Sequence, residues 1–288
     1  MPELPEVESV RRQLAPELVG RTVVDVWWDR HPAQRFSDVG RVAGCRIEAV
    51  GRRGKFLVCP LRAADGAARE LVLHLGMTGS FSVVRSPGPL PVAGRGAPGE
   101  RDPAVDHVRA WFDLDDGRRL RFRDPRRFGR VSVVAPGDYA TTVPTLALLG
   151  PEPLTDDFDP EAFVAGLART RAPVKGALLG QRLVAGVGNI YADEALWRAR
   201  VHPRSRRLGP HRARRLHAAI REVLAAAVER EGTTFRDYQM VNGESGRYAD
   251  FLDVYGKAGL PCPRCATTLR GAVVAQRGTT YCPRCQRA

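Results

Sequence analysis

The chain has 288 residues, a formal net charge of +13, a pI near 10.2 and 43% hydrophobic residues. That apolar content excludes a basic disordered tail, so the excess charge belongs to folded surfaces and points to a polyanion, with nucleic acid ahead of an anionic membrane. The absence of any run of about 18 apolar residues, and of a signal peptide, predicts a cytosolic protein, and the length predicts two domains with a small appendix.

At the N-terminus, Pro5 is placed to open a helix, with Glu6 and Glu8 in the first turn and Val7, Val10 and Leu14 on the buried face. A second reading concerns Met1-Pro2-Glu3. Removal of Met1 exposes the amine of Pro2 beside a carboxylate, and a terminal amine has a reference pKa about 2.5 units below that of a lysine side chain. Such an amine, unprotonated, condenses with a carbonyl or an opened sugar to give a cationic iminium, with Glu3 and Glu6 as candidates for moving protons. This end of the chain alone leaves both readings open.

Strands are predicted over Thr22–Trp28, Arg46–Val50, Phe56–Leu61, Glu70–His74, Ser80–Val84, Ala110–Leu114, Arg118–Phe122 and Arg130–Val134. Turn residues such as Asp115-Asp116-Gly117 separate them, which predicts a two-sheet β domain. Nine of the eighteen residues from Ser86 to Pro103 are Pro or Gly, which reads as a loop without a core. The segment Arg121–Arg130 sets five arginines and two aromatics around Asp124-Pro125. It reads either as a wedge for a base stack or as a hairpin turn with solvated charges.

Beyond Pro136 the pattern turns helical, with helices predicted over Pro160–Ala168 and Pro210–Arg230 and a stop at Gly232. Arg204, Arg206, Arg207, Arg212, Arg214 and Arg215 crowd the start of the second, a run that reads by default as a solvated face. Between the helices, Gly186-Val187-Gly188-Asn189 leads into another helix. Glycines there can open backbone amides to a phosphate, and Asn189 can cap the helix or donate to the same anion.

Cys262-Pro263-Arg264-Cys265 and Cys282-Pro283-Arg284-Cys285 are two CxxC knuckles 16 residues apart, the spacing of a tetrahedral zinc site. Four thiolates fill the shell and leave no position for water, so the zinc is structural. Short strands of a zinc ribbon are expected at 267–269 and 273–275, and Arg264, Arg270, Arg277 and Arg284 suit phosphate contact. Cys45 and Cys59 sit in apolar surroundings and read as buried spectators.

Six motifs in order, Pro2-Glu3-Leu4-Pro5-Glu6-Val7-Glu8, Lys55 after Arg52-Arg53-Gly54, His74-Leu75-Gly76-Met77, Asp124–Gly129, Gly186–Ala192 and the CxxC pair, together resemble the bacterial formamidopyrimidine-DNA glycosylases. The resemblance runs over nearly the whole chain, and Leu4 favours the oxidised-purine branch over endonuclease VIII, which typically has Gly there. It implies an α+β fold: an N-terminal two-sheet β-sandwich with an N-terminal helix, a helical helix-two-turn-helix domain and a C-terminal zinc ribbon. The boundaries expected are 1–135 for the catalytic domain, 136–150 for a linker, 151–252 for the helical domain with a lesion loop, and 253–288 for the zinc finger.

The resemblance further implies a bifunctional glycosylase and lyase of base excision repair, in which Pro2 attacks the sugar C1′ of an extruded purine such as 8-oxoguanine and Glu3 handles protons. Lys55 and Arg277 would contact phosphates and assist the proton and elimination steps, and Glu6 would meet the lesion. Met77, Arg126 and Phe128 would fill the void left by the flipped nucleotide. Asn189, His74, His107, Arg171 and Lys175 would be further DNA contacts, and one zinc ion would bind per monomer. Gly176 departs from the Pro-Trp common after the lysine, and only Asp106-His107 remains of a usual His-Asp-His element. Val241–Tyr248 resembles the loop that closes over the damaged base. Other readings of the same features are a non-catalytic zinc-dependent DNA-binding protein, a pyrimidine-specific glycosylase like endonuclease VIII, and an unrelated zinc enzyme, which the closed metal shell disfavours.

Overall fold

The structure, a computed structural model, describes residues 1–29, 33–86, 107–233 and 248–287. Most of the Pro/Gly-rich loop, Asp106 and nearly all of the Val241–Tyr248 segment lie outside the described residues.

The chain forms two compact units. The first begins with Met1–Pro2 and continues from Glu6 to Ala147. Helix α1 (Leu4–Leu18) supplies Val7, Val10, Leu14 and Leu18 to its core. The helical reading of the first residues therefore holds as local structure. Among the described residues, ten strands follow: β1 (Val23–Trp28), β2 (Phe36–Ser37), β3 (Arg46–Ile47), β4 (Gly51–Arg53), β5 (Phe56–Arg62), β6 (Ala68–His74), β7 (Ser80–Arg85), β8 (Val108–Leu114), β9 (Arg118–Arg123) and β10 (Arg130–Val134).

One sheet has the order β1-β8-β9-β7, and the other β2-β10-β6-β5-β3 with β4 also paired to β5. Alternation decides which face is buried: Ala110, Phe112 and Leu114 of β8 and Leu120 and Phe122 of β9 point into the core. There they share one apolar cluster with Leu57, Cys59, Leu61, Leu71, Leu73, Val131 and Val133 of the second sheet. Cys45 and Cys59 are buried in this cluster, and burial pushes the Cys59 thiol up to about 12. The predicted strand at 46–50 is shorter in the structure, ending at Ile47, while β2 and β4 are too short to show a period in the sequence. A short helix, α2 (Pro144–Ala147), closes the unit.

The second unit contains Glu3–Pro5, Leu148–Thr233 and the chain from Tyr248 onward. Its helices are α3 (Pro160–Arg169), α4 (Val174–Leu179), α5 (Asn189–Arg198) and α6 (Pro210–Glu229). Asp159 caps α3 by accepting from Ala162 N at 2.7 Å, with Pro160 in the first turn. On α6, Ala213, Leu216, Ala219, Ile220, Val223, Leu224 and Ala227 form the buried stripe. Gly232, at φ +81°, ends it by donating back to Ala227 O at 2.8 Å.

The ribbon hairpin differs from the sequence expectation. Its strands are β11 (Arg270–Val274) and β12 (Arg277–Tyr281), whereas 267–269 makes only a bridge from Thr268 to Pro261. The turn sits at Ala275-Gln276, both at positive φ, although neither is a glycine. Strands at 267–269 and 273–275 would leave Gly271 in the connection between them, and Gly271 instead lies within β11.

Candidate active site and nucleic-acid interface

Glu3 is 2% exposed and its carboxylate sits at the start of α5. Oε2 accepts from Gly188 N at 2.7 Å, and Oε1 accepts from Ile190 N at 2.9 Å. A helix N-terminus offers unpaired amides and a partial positive charge, so an acidic side chain belongs there. The glycines make this approach possible. A Cβ on Gly188 would lie 2.3 Å from Glu3 Cδ, and one on Gly186, at φ +83°, would lie 2.5 Å from a methyl carbon of Leu4. Leu4 N also donates to Gly186 O at 3.1 Å. The phosphate-cradle reading of this glycine pair is thereby corrected: the amides of Gly188 and Ile190 are used by Glu3 from the other end of the chain. Pro2, next to Glu3, is buried, whereas Met1 is 52% exposed.

In the first unit, the arginine-rich segment is organised around Asp124, which is 1% exposed. Its Oδ1 accepts from Thr78 Oγ1 at 2.6 Å and its Oδ2 from Gly129 N at 2.7 Å. These bonds tie the loop carrying Met77 to the turn carrying Arg126 and Phe128. Gly76 and Gly129 meet so closely that a Cβ on Gly76 would fall 2.6 Å from Gly129 N. On this rigid base Met77 and Phe128 are 37% and 39% exposed, and the Arg126 guanidinium lies over the Phe128 ring at 5.0 Å. Exposed apolar side chains held by a buried polar network suit insertion into a base stack. Sequence reasoning missed the roles of Thr78 and Asp124; the signal was a carboxylate among five arginines.

Lys55 lies in the β4–β5 turn after Gly54, at φ +56°, and is 7% exposed. Phe56, next along, stands opposite His74 in the β5–β6 register. The His74 Nδ1 accepts from Gly76 N at 3.1 Å, which requires the neutral ring. Burial, then the charges of Lys55, Arg130 and Arg35, lowers its pKa to about 4. Glu6 is 2% exposed on α1, and Glu8, two residues further along the helix, binds Arg11, Arg12 and Arg52.

The structure corrects the expectation that Lys175 reaches DNA: its side chain is wholly buried. Nζ donates to Asp193 Oδ1 at 2.6 Å, Thr279 Oγ1 at 2.8 Å and Gly278 O at 3.1 Å, which uses all three ammonium hydrogens. The other oxygen of Asp193 accepts from Thr280 N at 2.9 Å, and Asn189 Nδ2 donates to Gly278 O at 3.0 Å. Together α4, α5 and β12 thus fix the hairpin segment that begins with Arg277, itself exposed. Gly176 suits the same packing, since a Cβ there would meet the Ala275 Cβ at 3.3 Å. Arg171 is exposed, and His107, at φ +64°, contacts Arg109 through Nδ1.

The sulfur atoms of Cys262, Cys265, Cys282 and Cys285 all lie within 4.8 Å of one another. Zinc–sulfur bonds of about 2.3 Å in a tetrahedron require sulfurs about 3.8 Å apart. Cys265 and Cys282 are at 3.5 Å, and Trp197 Nε1 and Cys285 N point hydrogens at the sulfurs of Cys262 and Cys282. The donor set fits one structural zinc ion with no open position.

Among the described residues, no helix is long and apolar enough to cross a membrane. Residues 1–131 match the formamidopyrimidine-DNA glycosylase N-terminal domain, 149–239 the H2TH domain of the same enzymes, and 259–288 the zinc finger found in FPG and IleRS. The chain is 46% identical to the formamidopyrimidine-DNA glycosylase of Deinococcus radiodurans, over 99% of this chain and 97% of that protein. It is similar in structure to the MutM (Fpg) protein of Thermus thermophilus, with a TM-score of 0.85, 46% identity and coverage of 99% and 98%. A Lactococcus lactis Fpg mutant in complex with DNA containing Fapy-dG gives a TM-score of 0.83 at 32% identity, with both chains covered completely. The chain belongs to the formamidopyrimidine-DNA glycosylase family.

Proposed function

We propose that this chain excises oxidised purines from duplex DNA and then cuts the strand at the resulting site, with Pro2 as nucleophile once Met1 is removed. The observation that carries this reading is the seating of Glu3: the carboxylate of the residue after the nucleophile accepts two short hydrogen bonds from backbone amides, so the amine end of the chain is anchored. An anchored nucleophile has little orientational freedom left to lose on reaching the transition state.

The Pro2 lone pair forms a bond to C1′ as the bond to the damaged base breaks; the base leaves with that electron pair and takes up a proton. Opening of the sugar and loss of the amine proton give the iminium, which acts as an electron sink. Loss of a C2′ proton expels the 3′ phosphate, a further elimination expels the 5′ phosphate, and water then releases the amine. Glu3 and Lys55 move protons, and Glu6 faces the lesion. Arg277, on the clamped hairpin, neutralises a departing phosphate. Met77, Arg126 and Phe128 replace the stacking lost on extrusion, which costs a few kcal/mol. Asn189, Arg171, His74 and His107 contribute to holding the strand. The zinc, held by the four cysteines, folds the ribbon that carries Arg277. The setting is the bacterial nucleoid, with the protein acting as a monomer.

Borohydride trapping on an 8-oxoguanine·C duplex and on an abasic duplex tests this. A covalent adduct is expected for the protein and none for Pro2→Gly. Absence of an adduct on both duplexes would leave a non-catalytic DNA-binding protein as the correct reading.

A further inference from the structure

At the cysteine end of the ribbon, six arginines, Arg200, Arg212, Arg215, Arg264, Arg284 and Arg287, line a cavity of about 670 Å³ together with Cys265 and Cys285. Among the described residues none of the six is paired with a carboxylate. Three are held in place by backbone carbonyls: Arg215 Nε donates to Ala199 O at 2.7 Å, Arg264 Nη1 to Trp197 O at 3.1 Å and Arg212 Nη2 to Arg287 O at 2.5 Å. Arg264 also stacks over the Trp197 ring at 4.1 Å. A guanidinium has five N–H donors, so each keeps most of its donors for a ligand. Arg215 has its pKa lowered by burial and then by the charges of Arg200, Arg212 and Arg264, which shows how closely the cations crowd one another.

The zinc–thiolate cluster beside the cavity does not neutralise this charge. Four thiolates and one zinc carry a net −2, so six guanidiniums leave the cavity with +4. Nor is the cavity the place where Arg277 meets a phosphate. Arg277 opens β12 next to the hairpin turn, and Cys282 lies five residues further on, about 17 Å away at roughly 3.3 Å per residue.

We propose that this cavity binds a compact run of phosphates, an oligophosphate carrying about four negative charges, separately from the duplex at the hairpin turn. The chemistry fits on three counts. All six cations are arginines, whose planar forks match phosphate oxygens two at a time, whereas a lysine offers a point charge. Several forks are preset by carbonyls, so little side-chain freedom is lost on binding. The cavity is concave and of small-molecule size, which suits a short phosphate chain rather than the width of a duplex. The phosphates come either from a free oligophosphate or from the backbone of a single strand, and both present the same oxygens.

Calorimetry with inorganic tripolyphosphate and the full-length, zinc-loaded protein tests the proposal, first free and then saturated with an abasic-site duplex. One tripolyphosphate per chain is expected in both states, with similar affinity. Arg200→Ala and Arg212→Ala, each on the rim, should weaken it about tenfold each, the scale of one lost charge-assisted contact. Arg41→Ala, which removes the same charge in the β unit, should leave it unchanged, and excision by all three variants should be normal. A ten-nucleotide single strand distinguishes the sources: competition with tripolyphosphate identifies a strand as a ligand, and failure to compete identifies the free anion. Equal binding by the parent and both rim variants would overturn the proposal, as would loss of tripolyphosphate when the duplex is bound.

Discussion

Lys175 and Asp193 form an ion pair of 2.6 Å that is shut off from solvent, with side-chain exposures of 0% and 1%. Burial pushes the Asp193 carboxyl up to about 6 and the Lys175 ammonium down, so the environment opposes both charges and their attraction offsets only part of that cost. Two backbone groups and a hydroxyl of the ribbon, Thr280 N, Gly278 O and Thr279 Oγ1, complete the cluster. Replacing one partner alone, Lys175→Met, strands a buried carboxylate and should cost about 3–5 kcal/mol. Lys175→Met with Asp193→Asn should recover much of that loss. Urea unfolding of the two single variants and the double variant measures the coupling, and strictly additive losses would show that the pair does not act as a unit.

Gly188→Ala tests the seat of Glu3. The new methyl would fall 2.3–2.5 Å from the Glu3 carboxyl, and both must move apart. Excision under single-turnover conditions should fall at least a hundredfold, because misplacing a reacting group by about 1 Å has that effect. Affinity for undamaged duplex, which depends on basic surfaces, should change less than threefold. Excision at the parent rate would remove the seating of Glu3 from the mechanism.

The Asp124 turn and the Phe128 ring it carries separate stability from the proposed binding role. Asp124→Ala leaves Thr78 and Gly129 without their acceptor and should destabilise the β unit by about 2–4 kcal/mol. Phe128→Ala touches a side chain already 39% exposed and should change stability by less than about 0.5 kcal/mol. It should nevertheless weaken binding to an abasic duplex about tenfold, as expected from a lost stacking contact. Thermal melts beside fluorescence anisotropy report both, and a large stability loss in Phe128→Ala would place that ring in the core.

His74 carries a pH signature. Its pKa in the fold, about 4, lies below the unfolded reference of about 6.5. A lowered histidine pKa stabilises the fold above pH of about 6.5, and that contribution, up to about 3 kcal/mol, is lost as pH falls toward 4. Protonation would also break the bond that Nδ1 accepts from Gly76 N. An NMR titration should find the ring neutral at pH 5.5, and His74→Gln should show a flatter loss of stability between pH 6.5 and 4. A midpoint near 6.5 would mean that the ring is open to water.

The strands of the β unit and helices α3 and α6 were legible because periodicity and turn residues act locally: Ala110, Phe112 and Leu114 alternate, and Leu216, Ile220 and Val223 recur at helical spacing. The ribbon register was not. Its turn falls at Ala275-Gln276, where the two-residue connection between paired Val274 and Arg277 takes positive φ at both positions although neither is glycine. The thiolate set was legible because metal coordination constrains spacing along the chain.

By itself, then, the sequence determined the chemistry available here: an amine and a carboxylate at the N-terminus, four thiolates for one metal, aromatics among arginines at a turn, and a basic surface. Only the tertiary structure decided where these groups are directed. Glu3 meets Gly188 across 185 residues of chain, and that contact makes the glycine pair a seat for the N-terminus instead of a phosphate cradle. Lys175 turns inward because Asp193 and the ribbon offer its ammonium three acceptors, one for each hydrogen. Residue type and spacing are properties of the chain, whereas the partners of a buried polar group are set by packing between segments far apart in it.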